Sequence, residues 1–343
     1  MSELDREDLP REIQDYPKKD DICSSEDLSQ DALQTGEMDG EDLPADLFEQ
    51  MADHLSQPGI YSLVEDFIEK SLEHIWIIYT KAVHLKEQGL FEEALEEIDG
   101  LVSKIMPITE YIQSEADVQS FSELFELDVY EMLEPSRQLH QSPIPCCDLL
   151  ALHGNLLLIL GRTDEAITSL AHALAWNPVS HNASILLAEA YKTNDDMDML
   201  YALTIDRFNT AFSRIHMAEL YFNLGYYYGK TEQPENARAC FTLSSRYGGK
   251  EIAAGALYQL GKMYGKSFQW ANDEQLEQSS KACGYPLVPD EKLIKLARFN
   301  ATESYLDGDY DRADYYIRIA YDLSGSTEDQ SFMDMLAEKN IVM

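Results

Sequence analysis

Apolar residues along this chain recur three and four residues apart in short runs, which polar residues with glycine or proline separate. The stretch LHGNLLLILGRTDEAITSLAHALAWNP, residues 152–178, shows the pattern clearly. Its spacing predicts two helices, roughly at 147–160 and 163–176, because it places apolar side chains on one helix face. Gly161 is expected to end the first helix with a positive φ, and Pro178 to end the second.

Small residues and capping residues occupy particular places in this pair of helices. Thr163 and Asp164 are expected to cap the second helix, since short polar side chains accept hydrogen bonds from its first N–H groups. Gly154 and Ala166 are expected where the two antiparallel helices cross, with Ala173 two turns farther along. Small side chains there would let the backbones approach closely, although glycine weakens a helix on its own.

The pattern recurs at intervals of about 34–40 residues, which is the signature of a repeat architecture. The residues of the copy above that resemble the tetratricopeptide repeat are Gly154, Gly161, Ala166, Ala173 and Pro178. Leu150 and His153 depart from that pattern, which usually has a tryptophan and a leucine there. The matching residues of the other copies are Ala82, Gly89, Phe91, Ala94, Leu187, Ala188, Tyr191, Leu224, Gly225, Tyr228, Ala237, Phe241, Leu260, Gly261, Tyr264, Ala301, Gly308, Tyr310, Ala313 and Ala320.

The resemblance covers roughly residues 75–325 and implies an all-α fold, a right-handed solenoid of helix-turn-helix repeats. No segment of the chain alternates like a β-strand between hairpin turns. The first residues are acidic and poor in aromatics, which predicts disorder, because little apolar surface can be buried there. The expected segments are a disordered acidic tail at 1–45, N-terminal helices with the first repeat-like pair at 46–108, an irregular helical insert with a proline-rich connection at 109–146, repeats at 147–325 and a capping helix at 326–343.

The insert at 109–146 contains one predicted helix, FSELFELDVYEML. Its side chains expected to point inward are Phe121, Leu124, Phe125 and Met132. Prolines after this helix force an extended connection. The insert therefore either hinges two helical blocks or packs as an irregular repeat, and the sequence leaves both open.

Charge and composition exclude several classes of protein. The chain has 63 acidic and 26 basic residues, a formal net charge of −37, which disfavours binding to nucleic acid or to anionic membranes. No run is apolar enough for a membrane span, and the first residues do not resemble a secretory signal. Five scattered cysteines do not form a disulfide framework. We expect a soluble, reduced, cytoplasmic protein.

Few motifs suggest catalysis. GYYYGKT at 225–231 and GKMYGKS at 261–267 resemble phosphate-binding loops, but each has three residues between its glycines where such a loop needs four. The repeat explains them better, with Gly225 and Gly261 as helix-packing glycines. The adjacent Cys146 and Cys147 are poorly spaced for a metal. We predict no enzymatic activity, no cofactor and no metal, with an unrecognised hydrolase or nucleotide-binding site as the remaining alternative.

The resemblance also implies which first-helix positions point into the concave face of the solenoid. The residues of the predicted partner-binding groove are Asn155, Asn182, Lys192, Asn223, Tyr226, Lys230, Tyr258, Lys262, Lys266, Lys295 and Arg298. The groove would be basic and rich in tyrosine within an acidic protein. Glu189, Phe222 and Tyr305 fall at related positions.

This groove predicts a scaffold or adaptor that binds an extended peptide or protein segment, acidic or ending in a free carboxylate. Asn155, Asn223, Lys295 and Arg298 are residue types of the family's carboxylate clamp, but they do not lie in three consecutive repeats, so chaperone binding is not predicted. A peptide-responsive sensor is the second hypothesis. The lysines could instead neutralise nearby acids, and the acidic tail could occupy the groove. The oligomeric state stays open.

Overall fold

The computed structural model describes residues 61–115, 117–135 and 139–340. The predicted tail at 1–45 lies outside the described residues. The helices are α1 Tyr61–Glu87, α2 Phe91–Glu115, α3 Leu124–Leu133, α4 Cys146–Ile159, α5 Thr163–Trp176, α6 His181–Thr193, α7 Met197–Arg207, α8 Arg214–Lys230, α9 Pro234–Arg246, α10 Lys250–Tyr264, α11 Asp273–Cys283, α12 Glu291–Leu306, α13 Tyr310–Ser324 and α14 Thr327–Asn340. Two strands of two residues each, β1 Val118–Gln119 and β2 His140–Gln141, pair in parallel.

Consecutive helices pack on one another, and the predicted all-α repeat solenoid is confirmed. Each of α4, α6, α8 and α12 packs against the helix that follows it, and α5 and α7 pack in turn against the first helix of the next pair. Helix α9 packs against both α10 and α11. Each hairpin thus buries one face internally and another against its neighbour, which is how helical repeats stabilise each other.

The pair α4–α5 follows the sequence pattern closely. Gly161 has φ of +76°, as predicted for a residue that ends a helix. The predicted cap was wrong: Arg162 occupies the N-cap position and Thr163 is the first helical residue. The Arg162 side chain makes no capping hydrogen bond and instead donates two hydrogen bonds, of 2.7 and 2.6 Å, to the carboxylate of Glu165 in the first turn. This solvent-exposed ion pair lies in the first turn of the helix.

Glycines at two helix crossings permit close approach. A Cβ atom on Gly154 would lie 2.5 Å from Cγ of Leu170, and one on Gly225 would lie 2.5 Å from the ring of Phe241. Both contacts are shorter than carbon atoms tolerate. Ala166 of the same hairpin as Gly154 is fully buried. Gly154 and Gly225 therefore lack a side chain because a side chain of the next helix occupies the space beside them.

Replacing Gly154 or Gly225 with alanine is expected to lower the free energy of unfolding by about 1–3 kcal/mol, because the added methyl group overpacks the crossing. Gly100 of α2 is the control, since a Cβ atom there meets nothing within 4 Å. Its replacement by alanine should stabilise the protein slightly, through helix propensity. Denaturant unfolding of the three variants measures this difference, and equal effects at all three positions would refute it.

Helix α3 of the insert lies against the C-terminal helices, far along the chain. Phe125 and Val129 are fully buried in a cluster with residues of α12 and α13, and Phe121, Leu124 and Met132 are partly buried. The hydroxyl of Tyr316 in α13 donates a hydrogen bond of 2.6 Å to Asp128. Helix α3 also contacts the loop after α5, where the Asn177 side chain donates a hydrogen bond of 2.8 Å to Glu126, so it joins this part of the chain to the C-terminal helices. Helix α2 extends to Glu115 and so crosses the boundary predicted at residue 108.

Helix α14 packs against α13 and places Leu336 in the buried core, with Phe332 and Met335 partly buried beside it. Arg298 of α12 fixes it further, through two hydrogen bonds of 2.8 Å to Asp329.

Candidate functional site

The predicted groove residues fall into three groups with different surroundings. The first group lies on α6 and α8, the second on α10 and the loop after it, and the third on α12. Asn155 on α4 is partly buried, and Asn182 at the start of α6 is exposed. The groups are distinguished by what their cations contact.

In the first group, the cations bind residues of the protein itself. The Lys192 side chain is only 8% exposed, pairs with Glu189, and donates a hydrogen bond of 3.0 Å to Oδ1 of Asn223. Its ammonium also lies 5.7 Å from the ring centroid of Tyr226. The ammonium of Lys230 lies 5.5 Å from the centroid of the same ring and pairs with Asp195 at 3.3 Å. Lys192 therefore holds α6 against α8, and little of its charge is available to a ligand.

A buried histidine pair stands at the other end of the same helix contact. The rings of His181 and His216 stack with centroids 3.2 Å apart, and Nε2 of His181 lies 2.9 Å from the Glu219 carboxylate. Burial lowers the pKa of His181 to about 3 and that of His216 to about 2, so both rings are neutral near pH 7. Burial also raises the pKa of Glu219 to about 7. The sequence did not indicate this cluster, because His181 lies 35 positions from His216 and 38 from Glu219, with no motif spacing.

In the third group, Lys295 forms an exposed ion pair of 3.0 Å with Glu291. Arg298 binds Asp329, whose side chain is buried, and so joins α12 to α14. The guanidinium thus has a structural partner that the sequence pattern did not indicate. We assign Arg298 to helix packing.

The second group lines an open groove. We call it the α10 groove: it lies between α10 and the loop 265–270 and has a volume of about 570 Å³. Tyr258, Phe268 and Trp270 contribute aromatic surface, Leu257 lies at its base, and Lys262 and Lys266 contribute two ammonium groups.

The end of α10 creates this groove. Gly265 adopts φ of +64°, and the N–H groups of Gly265 and Lys266 return to the carbonyls of Lys262 and Gly261. This is the Schellman arrangement, which turns the chain back along the helix. A Cβ atom on Gly261 would lie 2.7 Å from the carbonyl oxygen of Lys266. The prediction that Gly261 packs against another helix was therefore wrong, since it makes room for its own returning loop.

Exposure of apolar residues sets α10 apart. Its buried side carries Ala253, Leu257 and Leu260, whereas Tyr258, which lines the groove, is 62% exposed. Trp270 across the groove is 40% exposed. Contiguous exposed apolar surface with polar groups at its edge marks interaction sites in many proteins.

The two ammonium groups of the α10 groove differ in their partners. Lys266 pairs with Glu235 at 2.8 Å and lies 4.5 Å from the ring centroid of Phe268. Lys262 lies 4.5 Å from the ring centroid of Tyr258 and has no ion pair with any carboxylate of the described residues. Every other cation of the predicted groove has such a pair.

The chemistry of other candidate sites is limited. The stretches 225–231 and 261–267 lie in α8 and at the end of α10, where no strand leads into them as a phosphate-binding loop requires. Burial raises the pKa of the Cys146 thiol to about 12 and that of Cys147 well above its usual range, which disfavours a reactive thiolate. Within the described ranges, His, Cys, Asp and Glu form no group of three or more that could hold a metal. None of the helices described there is long and apolar enough to cross a membrane.

Comparison with known families agrees with the helical repeats. A tetratricopeptide-repeat model matches residues 148–180, which contain most of α4, all of α5 and the loop after it. The same model matches residues 218–245, which contain most of α8 and α9. No curated protein matches the sequence. The chain is a protein containing tetratricopeptide repeats.

Proposed function

We propose that this protein is a non-enzymatic interaction scaffold that binds a segment of a partner protein in the α10 groove. Tetratricopeptide repeats typically mediate protein–protein interactions, and the repeats at 148–180 and 218–245 support that role here. The fold alone does not locate a binding site, so the site is inferred from the residues that the surface exposes.

The observation that carries it is the exposed aromatic and cationic surface of α10. The predicted groove cations on α6, α8 and α12 form ion pairs with carboxylates, and Lys192 is also buried. On α10, by contrast, Tyr258 is 62% exposed beside an open groove, and the ammonium of Lys262 lies on its ring. Aromatic residues that become buried in a pocket at an interface often contribute much of its binding free energy.

The test is a selection of short random peptides displayed on phage against the full chain, with affinities measured for the peptides recovered. Tyr258→Ala is expected to weaken their binding by about thirtyfold, as truncation of an interface aromatic commonly does. The matched control is Met263→Ala, because Met263 lies on the same helix with an exposure of 63% but does not line the groove. Recovered peptides that bind both variants equally, or no recovered peptides, would overturn the proposal.

A further inference from the structure

We infer that the α10 groove selects acidic segments in which carboxylate side chains flank an aromatic or long aliphatic residue. This inference rests on the proposed function and adds the chemistry of the partner. It commits to side-chain carboxylates of an internal segment, since the groove is open to solvent and two lysines, Lys262 and Lys266, belong to its lining.

Lys262 is the first recognition element. Its ammonium lies over the Tyr258 ring, 4.5 Å from the centroid, and this contact favours its position beside the groove without an anionic partner. A cation that rests on an aromatic face keeps hydrogen-bond donors for a carboxylate arriving from the groove. Other lysines of the described structure, such as Lys104 and Lys250, also form no ion pair, so the contact with the Tyr258 ring is what distinguishes Lys262.

Lys266 is the second element and is held differently. It hydrogen-bonds Glu235 of α9, which lowers the pKa of that carboxyl. This pair is solvent-exposed, and exposed pairs are weak enough to exchange partners. A ligand carboxylate would therefore compete with Glu235 for Lys266, and loss of the Glu235 charge should strengthen ligand binding.

The apolar lining defines the rest of the ligand. Leu257, Tyr258, Phe268 and Trp270 line the same groove as the two lysines, so a purely acidic peptide would leave this apolar surface uncovered. An aromatic or long aliphatic side chain would bury it. The required partner combines an apolar anchor with neighbouring carboxylates.

Because the whole protein is strongly acidic, selectivity for an acidic segment must come from contacts inside the groove. A net charge of −37 repels an acidic segment at long range, whereas contacts inside the groove act over a few ångströms. At roughly 0.15 M salt the screening length is about 8 Å, so distant repulsion is damped and the groove contacts remain. Affinities should be compared at this ionic strength.

The composition of the selected peptides is the first readout. We expect the peptides whose binding is weakened by Tyr258→Ala to be enriched in Asp and Glu next to Phe, Tyr, Trp or Leu. The same peptides with a C-terminal amide should bind equally well. A pool that depends on Tyr258 but is neutral or basic would overturn this inference and leave the proposed function standing. A pool that loses binding on amidation would also overturn it, by showing recognition of the chain end.

Charge variants of the full chain give the second readout. Lys262→Glu is expected to weaken a selected acidic peptide by about tenfold, because it replaces an attraction by a repulsion. Lys250→Glu makes the same change at an exposed site on α10 outside the groove, and it should leave the affinity within twofold. Glu235→Gln should tighten binding. Equal effects of the two lysine variants, or no gain from Glu235→Gln, would contradict the proposed contacts.

Discussion

Replacement of Phe125 by alanine is expected to lower the free energy of unfolding by about 3–5 kcal/mol, as for other buried aromatic residues. The ring is fully buried and contacts Phe212 and Tyr316, with centroids 5.4 and 6.0 Å away. Phe212 precedes α8 and Tyr316 belongs to α13, so the ring joins the bridging helix α3 to two distant parts of the chain. The variant should therefore loosen the C-terminal helices as well as the core.

Denaturant unfolding and solution scattering together test this prediction. The control is Leu133→Ala, since Leu133 lies on the same helix but is exposed. The Phe125 variant should show the lower unfolding midpoint, and its radius of gyration should rise if it stays folded under native conditions. A Phe125 variant as stable and as compact as the Leu133 variant would show that α3 does not join these parts of the molecule.

Ionisation of the Glu126 carboxyl is expected to lower the free energy of unfolding as the pH rises from 4.5 to about 7. Burial raises the pKa of this carboxyl to about 7, although it accepts hydrogen bonds from the backbone N–H groups of Ser122 and Glu123 and from the side chain of Asn177. The folded pKa lies above the unfolded value, so the stabilising contribution is fully present below pH 4.5. It is lost as the pH rises through the folded pKa. The loss amounts to about 3 kcal/mol for a shift of this size.

The variant Glu126→Gln removes the titrating group and keeps its acceptor oxygen. The free energy of unfolding is measured from pH 5 to 8 for both proteins. Its decrease over this range should be smaller for the variant than for the wild type, and the two decreases should differ by about 3 kcal/mol at most. Glu93→Gln at an exposed position of α2 is the control and should follow the wild type. Parallel pH curves for the wild type and Glu126→Gln would show that the carboxyl is already ionised in the folded protein at pH 5.

The repeated hairpins could be predicted from sequence because local signals define them. Gly161 and the crossing glycine Gly154 have the predicted roles, since the turn and the crossing each depend on a few neighbouring residues. The N-cap of α5 was predicted wrongly, because the helix begins one residue earlier than the capping pattern indicated, with Arg162 at the N-cap position and no side-chain capping hydrogen bond.

Long-range packing could not be read from periodicity. The pattern indicated a helix around Phe125, but only the structure shows that its partners lie 190 positions away, at Tyr315 and Tyr316. The same limit applies to the groove. Residue type and helical phase placed Lys192 and Lys262 in one set, and only their three-dimensional contacts separate a lysine that joins two helices from one on an open surface.

Hydrogen–deuterium exchange of the full chain, with and without a selected peptide, would locate the binding surface. Protection on binding is expected to concentrate in α10 and the loop 265–270, with smaller changes elsewhere in the solenoid. Protection confined to α6 and α8, or spread evenly along the repeats, would contradict the assignment of the binding site to the α10 groove.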